Sequence, residues 1–298
     1  VSEESQQIAA RIVQKLRDAG FCCEIFDLGR TKPGVLRRDR IIVGLALFLL
    51  TALAWSYLLW LSADMKMDGM DMDGYRMIPS GMRLMMPADA PWRAMEFVFV
   101  FAMWTVMMVG MMTPWAAPMI LMYARVGRQT EAQAPLIATV WFGIGYFFAW
   151  IAFSLFATLV QWAFERVGLL DSKMASTSIV IGGLQFVAAG TYQWTQLKDI
   201  CLARTQDPFA FLISQGGFRR DAPGSAMLGL RHGAYCVGCC WALMALLFVG
   251  GVMNVLWIIL LTISILLENV LPFGRKFAAV AGIVLVAAGG WLLSTGMF

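Results

Sequence analysis

Histidine occurs once in the 298 residues, at His232. That excludes a haem held by two histidines and a His-rich zinc motif, and it leaves no Ser/His/Asp set for hydrolysis. Charge is scarce as well: 14% of residues are charged, against roughly 25% in a soluble domain. The net charge of +4 is not gathered into a basic patch with interleaved aromatics, so nucleic acid is not an expected partner. Within the apolar runs the carboxylates are Glu96 and Glu268, near opposite ends and close enough to the interface to be read as solvated; they offer little for a proton relay. The last apolar run holds no lysine, which excludes a retinal Schiff base there. No cleavable signal peptide is expected, because the first apolar run begins only near Ile41.

What is abundant is apolar surface: 60% of residues are hydrophobic and mean hydropathy is +0.70. About 20 apolar residues cross a bilayer as a helix, and that measure predicts seven spans, at 41–61, 95–123, 136–163, 178–197, 232–250, 252–271 and 277–296. Gly250 and Gly251 permit a tight hairpin between the fifth and sixth. Loop charges test the number: with the N-terminus inside, cytoplasmic segments hold 17 Lys/Arg and external ones six. The positive-inside rule then gives an all-α, polytopic helical bundle with a cytoplasmic N-terminus and an external C-terminus. Residues 1–36 form a small soluble extension, with Ile8, Ile12 and Leu16 on one helical face and a short strand at 21–29 that includes Cys22 and Cys23. Residues 37–298 form the transmembrane domain. Pro114 and Pro118 predict a kink near Thr113, or a broken second helix.

Methionine is the unusual residue. There are 21, more than the 19 Asp and Glu together, and 16 of them lie between Met65 and Met122. The external loop 62–94 carries eight, among them Met65, Met67, Met70 and Met72, interspersed with Asp and Gly. Such a segment does not pack a core. Exposed thioethers are instead soft ligands, suited to Cu(I) rather than to hard cations, and unlike thiols they form no disulfides on the oxidising side. The plainer alternative is a loop that dips Met side chains into the headgroups. In "MWTVMMVGMM", Met103, Met107 and Met111 share a helical face, with Met108 and Met112 in the next row. This stripe is either a stepwise path for a soft monovalent ion or ordinary gap-filling.

The sole histidine stands in "HGAYCVGCCW" with three of the six cysteines. On a helix, His232, Cys236 and either Cys239 or Cys240 share a face. These N/S ligands suit Cu(I), with Zn(II) as the second choice, and the topology puts them at the cytoplasmic end of the fifth span, where thiols stay reduced. Cys201 lies on the same side of the membrane. The alternative is a helix interface in which Gly233, Gly238 and the cysteines serve as small packing residues.

The order "RRDR", "MDGMDMDGY", "MWTVMMVGMMTPWAAP", "AAGTYQWTQLKDICL" and "GLRHGAYCVGCCWALMALLFVGGVMNVLW" resembles a bacterial family of predicted metal-binding integral membrane proteins of unknown function, over roughly residues 37–296. The resemblance implies a multi-pass protein of the bacterial inner membrane. Its motif positions here are Met107, Met108, Met111, Met112, Pro114, Gln193, Lys198, Cys201, His232, Cys236, Cys239 and Cys240. The chain departs from the pattern at Thr205, where a second cysteine often stands. It departs again at Asn269, where a lysine often follows the glutamate, and this leaves Glu268 without an adjacent cation. Copper binding with transport or delivery is the function these features favour, the partners being the bilayer and a partner membrane protein or metallochaperone. An accessory or assembly subunit of a larger membrane complex is the alternative. A thiol redox protein using Cys236 and Cys239 is the weaker one, since apolar surroundings disfavour the thiolate that exchange requires. No catalytic set marks the chain as an enzyme.

Overall fold

The structure is a computed structural model, and it describes residues 33–64, 75–80, 85–87, 90–129, 135–168, 178–271 and 273–296. The expected N-terminal helix and strand, and Met65, Met67, Met70 and Met72 of the loop, lie outside the described residues. Helix α1 (Pro33–Asp64) leads into a two-stranded antiparallel hairpin, β1 (Tyr75–Met77) and β2 (Met85–Pro87), in which Arg76 pairs with Met86. Then follow α2 (Ala94–Gln129), α3 (Pro135–Arg166), α4 (Ile179–Tyr192), α5 (Gln196–Gln206), α6 (Pro208–Ser214), α7 (Ala222–Ala245), α8 (Leu247–Gly250), α9 (Val255–Val270) and α10 (Gly274–Gly296). The all-α expectation holds for the described residues, the short hairpin apart.

Among the described residues, five helices are long and apolar enough to cross a membrane: Ile41–Asp64, Ala94–Arg128, Leu136–Arg166, Ala222–Gly250 and Gly274–Thr295. The other two expected spans appear as shorter apolar helices, Ile179–Tyr192 and Val255–Val270. The outer surface is that of a membrane protein. Leu256 is 79% exposed, and Phe48, Leu53 and Trp291 are also turned outward; a water-facing surface does not sustain such a belt.

Local sequence sets the helix ends. Asp221 caps α7, its carboxylate accepting from Gly224 N, and Pro223 follows in the first turn, where a missing N–H costs nothing. Gly251, at φ +88°, ends α8, and Asn254 caps α9, its side chain accepting from Trp257 N. A turn at Gly250–Gly251 thus stands where the sequence placed one.

Three expectations are corrected. First, α2 is not broken at its prolines: both lie inside a continuous helix. Pro114 removes the N–H that Gly110 O would accept, and Trp55 Nε1 of α1 donates to that carbonyl instead, at 3.3 Å. The break falls elsewhere, at 193–195 between α4 and α5, where Thr195 starts the new helix by accepting from Lys198 N. Second, the helix bearing the His/Cys cluster begins at Ala222 rather than near residue 232, so the cluster sits mid-helix and not at its end. Third, Glu96 and Glu268 are buried, not solvated.

Contacts fix how the helices run. Gly110 of α2 meets Ala54 and Leu58 of α1, and Trp104 Nε1 of α2 donates to Gln161 of α3. Helices α3 and α7 run parallel in close contact: a Cβ at Gly229 would stand 1.9 Å from Phe142 O and one at Gly233 2.9 Å from Tyr146 O, while Phe164 meets Phe248 further along. Small residues permit this approach, as they do between membrane helices generally. Helices α4 and α10 run antiparallel, Gly183 opposite Gly289 and Gly190 opposite Gly282.

Candidate metal centre

The methionine stripe is wholly internal. Met103, Met107, Met108, Met111 and Met112 of α2 are all buried in the common core, within 2% exposure, rather than turned to the outer surface. Facing them across α3 is the cluster of α7, in which Cys236, Cys239 and Cys240 are fully buried and His232 is nearly so. The two sets meet at one side chain. The Tyr146 hydroxyl of α3 lies 3.3 Å from Met112 O and 3.3 Å from Cys236 Sγ, so it bridges the far end of the stripe to the first thiol.

Cys201 comes to the same place from α5. Its sulfur fills the notch of Gly238, where a Cβ would lie only 2.9 Å away, so it stands against α7 between Cys236 and Cys239 in sequence. Tyr192 also reaches this turn, donating to Gly238 O. The Cys240 thiol donates back along its own helix to Cys236 O at 3.1 Å. The two glycines thus give the close approaches expected of them, Gly233 to α3 and Gly238 to α5.

His232 sits among rings, with centroids of Phe211, Tyr146 and Phe142 at 5.0, 5.9 and 6.1 Å. Its Nδ1 is buried and has no hydrogen-bond partner among the described residues. An unpaired buried nitrogen is costly and calls for an occupant or a rearrangement. The thiols and the imidazole do not already converge: among the described residues no three of His, Cys, Asp and Glu are gathered where they would hold a metal ion. A tetrahedral zinc site requires four such ligands, and nothing here supports it. The soft thioethers and thiols suit Cu(I).

Beside the thiols lies a buried ion pair that reading the loops alone missed. Lys198 Nζ is 2.5 Å from Glu268 Oε2, and both side chains are almost completely buried. Gln193 Nε2 donates to the other carboxylate oxygen at 2.9 Å, leaving Gln193 Oε1 buried without a partner among the described residues. Glu268 is therefore not without a cation, as its sequence neighbours suggested; the cation comes from the helix break 70 positions earlier. The two departures from the family pattern also meet, since Thr205 Oγ1 donates to Asn269 Oδ1 at 3.0 Å.

Sequence reasoning gave Tyr146 no role. The signal available was a hydroxyl in the run "FGIGYFFAW", a polar group deep in an apolar span. The partnership of Lys198 with Glu268 had no local signal at all.

Residues 101–292 match the family model PpoB2, described as a copper chaperone. No curated protein and no solved structure matches the chain.

Proposed function

The chain belongs to the PpoB2 copper-chaperone family, and from that premise we propose that it holds Cu(I) inside the membrane and hands it to a partner there. The observation that carries this reading is that two buried soft-ligand sets, the α2 methionines and the α7 cysteines, adjoin one side chain, Tyr146, whose hydroxyl reaches the Met112 carbonyl and the Cys236 sulfur. Neutral thioethers and thiols tolerate an apolar interior while empty, which a carboxylate site would not. Met65, Met67, Met70 and Met72 of the outer loop capture the ion. Met103, Met107 and Met111, with Met108 and Met112 beside them, pass it inward. Cys236, Cys239, Cys240 and Cys201 retain it, with His232 as the neutral nitrogen ligand, and side-chain rotation draws these groups together on loading.

The membrane arrangement belongs to the same proposal: seven traverses of a bacterial inner membrane, N-terminus inside. Parallel α3 and α7, and antiparallel α4 and α10, support that number. In it α4 and α5 together form one broken traverse and α9 another. The test is metal analysis of protein purified in detergent under reducing, oxygen-free conditions and equilibrated with Cu(I) or Zn(II). Copper should be retained at a fixed ratio and zinc should wash out. The Cys236→Ser/Cys240→Ser variant should lose most of the copper while eluting as the same species. Equal retention by the variant would sink the reading.

A further inference from the structure

One buried methionine stands on the cysteine helix itself. Met244 lies one turn past Cys240 on α7, so Cys236, Cys240 and Met244 follow one another in steps of four along one face. Helix α2 carries a matching buried row of Trp104, Met108 and Met112.

Contacts fix the register between the two rows. The Tyr123 hydroxyl of α2 lies 3.0 Å from Ser225 Oγ of α7, and the Tyr146 hydroxyl joins Met112 O to Cys236 Sγ. Eleven residues separate these two levels on each helix, from Tyr123 back to Met112 and from Ser225 on to Cys236. Helices α2 and α7 therefore run antiparallel and in step. One turn further toward the hairpin, Met108 comes level with Cys240, and Met244 stands another turn, about 6 Å, beyond. Side chains lean toward the N-terminus of their own helix, which on antiparallel helices tips Met108 and Met244 toward each other. The same offset recurs one turn on, where the Trp104 and Phe248 rings touch with centroids 5.3 Å apart.

Both ends of this stretch are filled. At one, the Tyr146 hydroxyl occupies the gap between Met112 and Cys236. At the other, Trp104 lies against Phe248 and is held by its 2.8 Å bond to Gln161. On these two rows the side chains between the ends are Met108, Cys240 and Met244, three sulfurs on two facing helices.

We propose that Met244 is a copper ligand, and that Met108, Met244 and Cys240 form the site where the ion crosses from α2 to α7. This rests on the copper reading above and adds where the methionine row gives way to the thiols. Two thioethers and one thiol suit a soft monovalent ion and not a hard divalent one. The crossing lies nearer the hairpin than Tyr146, so Met112 and Cys236 need not meet.

The experiment follows the full chain in detergent under reducing, oxygen-free conditions. It measures the rate at which Cu(I) is taken from a weak coloured chelator, and the amount finally held. Met244→Leu keeps the volume and loses the sulfur, whereas Met244→Cys keeps a soft donor and loses the volume. Met244→Leu and Met108→Leu should each slow loading by about tenfold or more, with the copper finally held unchanged. Met244→Cys should load near the wild-type rate. So should Met119→Leu, which is also buried and on the same row of α2, but beyond Tyr146. A wild-type rate in either of the first two leucine variants would overturn the proposal. Equal slowing by Met119→Leu, or by Met244→Cys, would show a packing role and overturn it too. Wild-type protein that retains no copper would instead remove the copper reading, and this site with it.

Discussion

At the scale of single residues, the interior is organised by a few polar groups with long-range partners. Lys198 and Glu268 show the energetics most plainly. Each is a charge taken out of water, and their attraction with the added Gln193 bond offsets a desolvation cost of several kcal/mol per ion. Removing one member leaves the other exposed to that cost. Lys198→Met should therefore destabilise the protein by about 3–5 kcal/mol, whereas Lys198→Met combined with Glu268→Met should return to within about 1 kcal/mol of wild type. Unfolding of the three proteins in detergent checks this, and a double variant as weak as the single would show that the pair is not the cause. The soft residue types were legible at this scale, because softness is a property of the residue itself. Which of them the fold brings near one another was not. Nothing adjacent to Cys201 says that its sulfur fills the notch at Gly238, and nothing adjacent to Glu268 names Lys198.

At the scale of elements, the contrast is between two interruptions. Pro114 is an obvious helix breaker, yet α2 continues through it, because the carbonyl it releases at Gly110 finds Trp55 on a neighbouring helix. The actual break, at 193–195, has no proline; it occurs where Thr195 caps a new helix and Gln193 turns inward to Glu268. Apolar run length located the described helices to within several residues, since it is a local property. Which interruption becomes a break depends on what a distant helix supplies. Trp55→Phe should cost at most about 1 kcal/mol in the wild-type background, the net value of one hydrogen bond. In a Pro114→Ala background, the backbone N–H restored at position 114 can bond Gly110 O, and the same change should cost much less of its polar part. A double-mutant cycle of thermal stability measures the difference, and identical costs in both backgrounds would mean that Trp55 acts through packing alone.

For the whole molecule, the apolar runs made an all-α chain with membrane-length helices legible from the sequence, since they follow from the solvent around the protein. The short lengths of α4 and α9 were not foreseen, nor was the start of α7 ten residues before His232. An apolar run measures what faces lipid or core, whereas helix length also depends on caps such as Asp221, which lies in a polar stretch. An odd number of traverses puts the two ends of the chain on opposite faces. Reporters active only outside the cytoplasm should therefore be silent when fused ahead of Val1 and active when fused after Phe298. Both active or both silent would require an even number and a different path for α4 or α9.

The separation between Lys198 and Glu268 has a further meaning during synthesis. The carboxylate is made 70 residues after the ammonium it pairs with, which at 5–20 residues per second is a delay of about 4–14 s. Throughout that interval an unpaired lysine at the centre of a membrane helix would cost about 2.5–3.5 kcal/mol on insertion scales. The break at 193–195 puts Lys198 on a helix separate from α4, so the apolar run of α4 does not itself carry the lysine. Lys198 therefore finds its partner only after the whole of α7, with Cys236, Cys239 and Cys240, has been made, so the thiol-bearing helix precedes the ion pair that lies beside it.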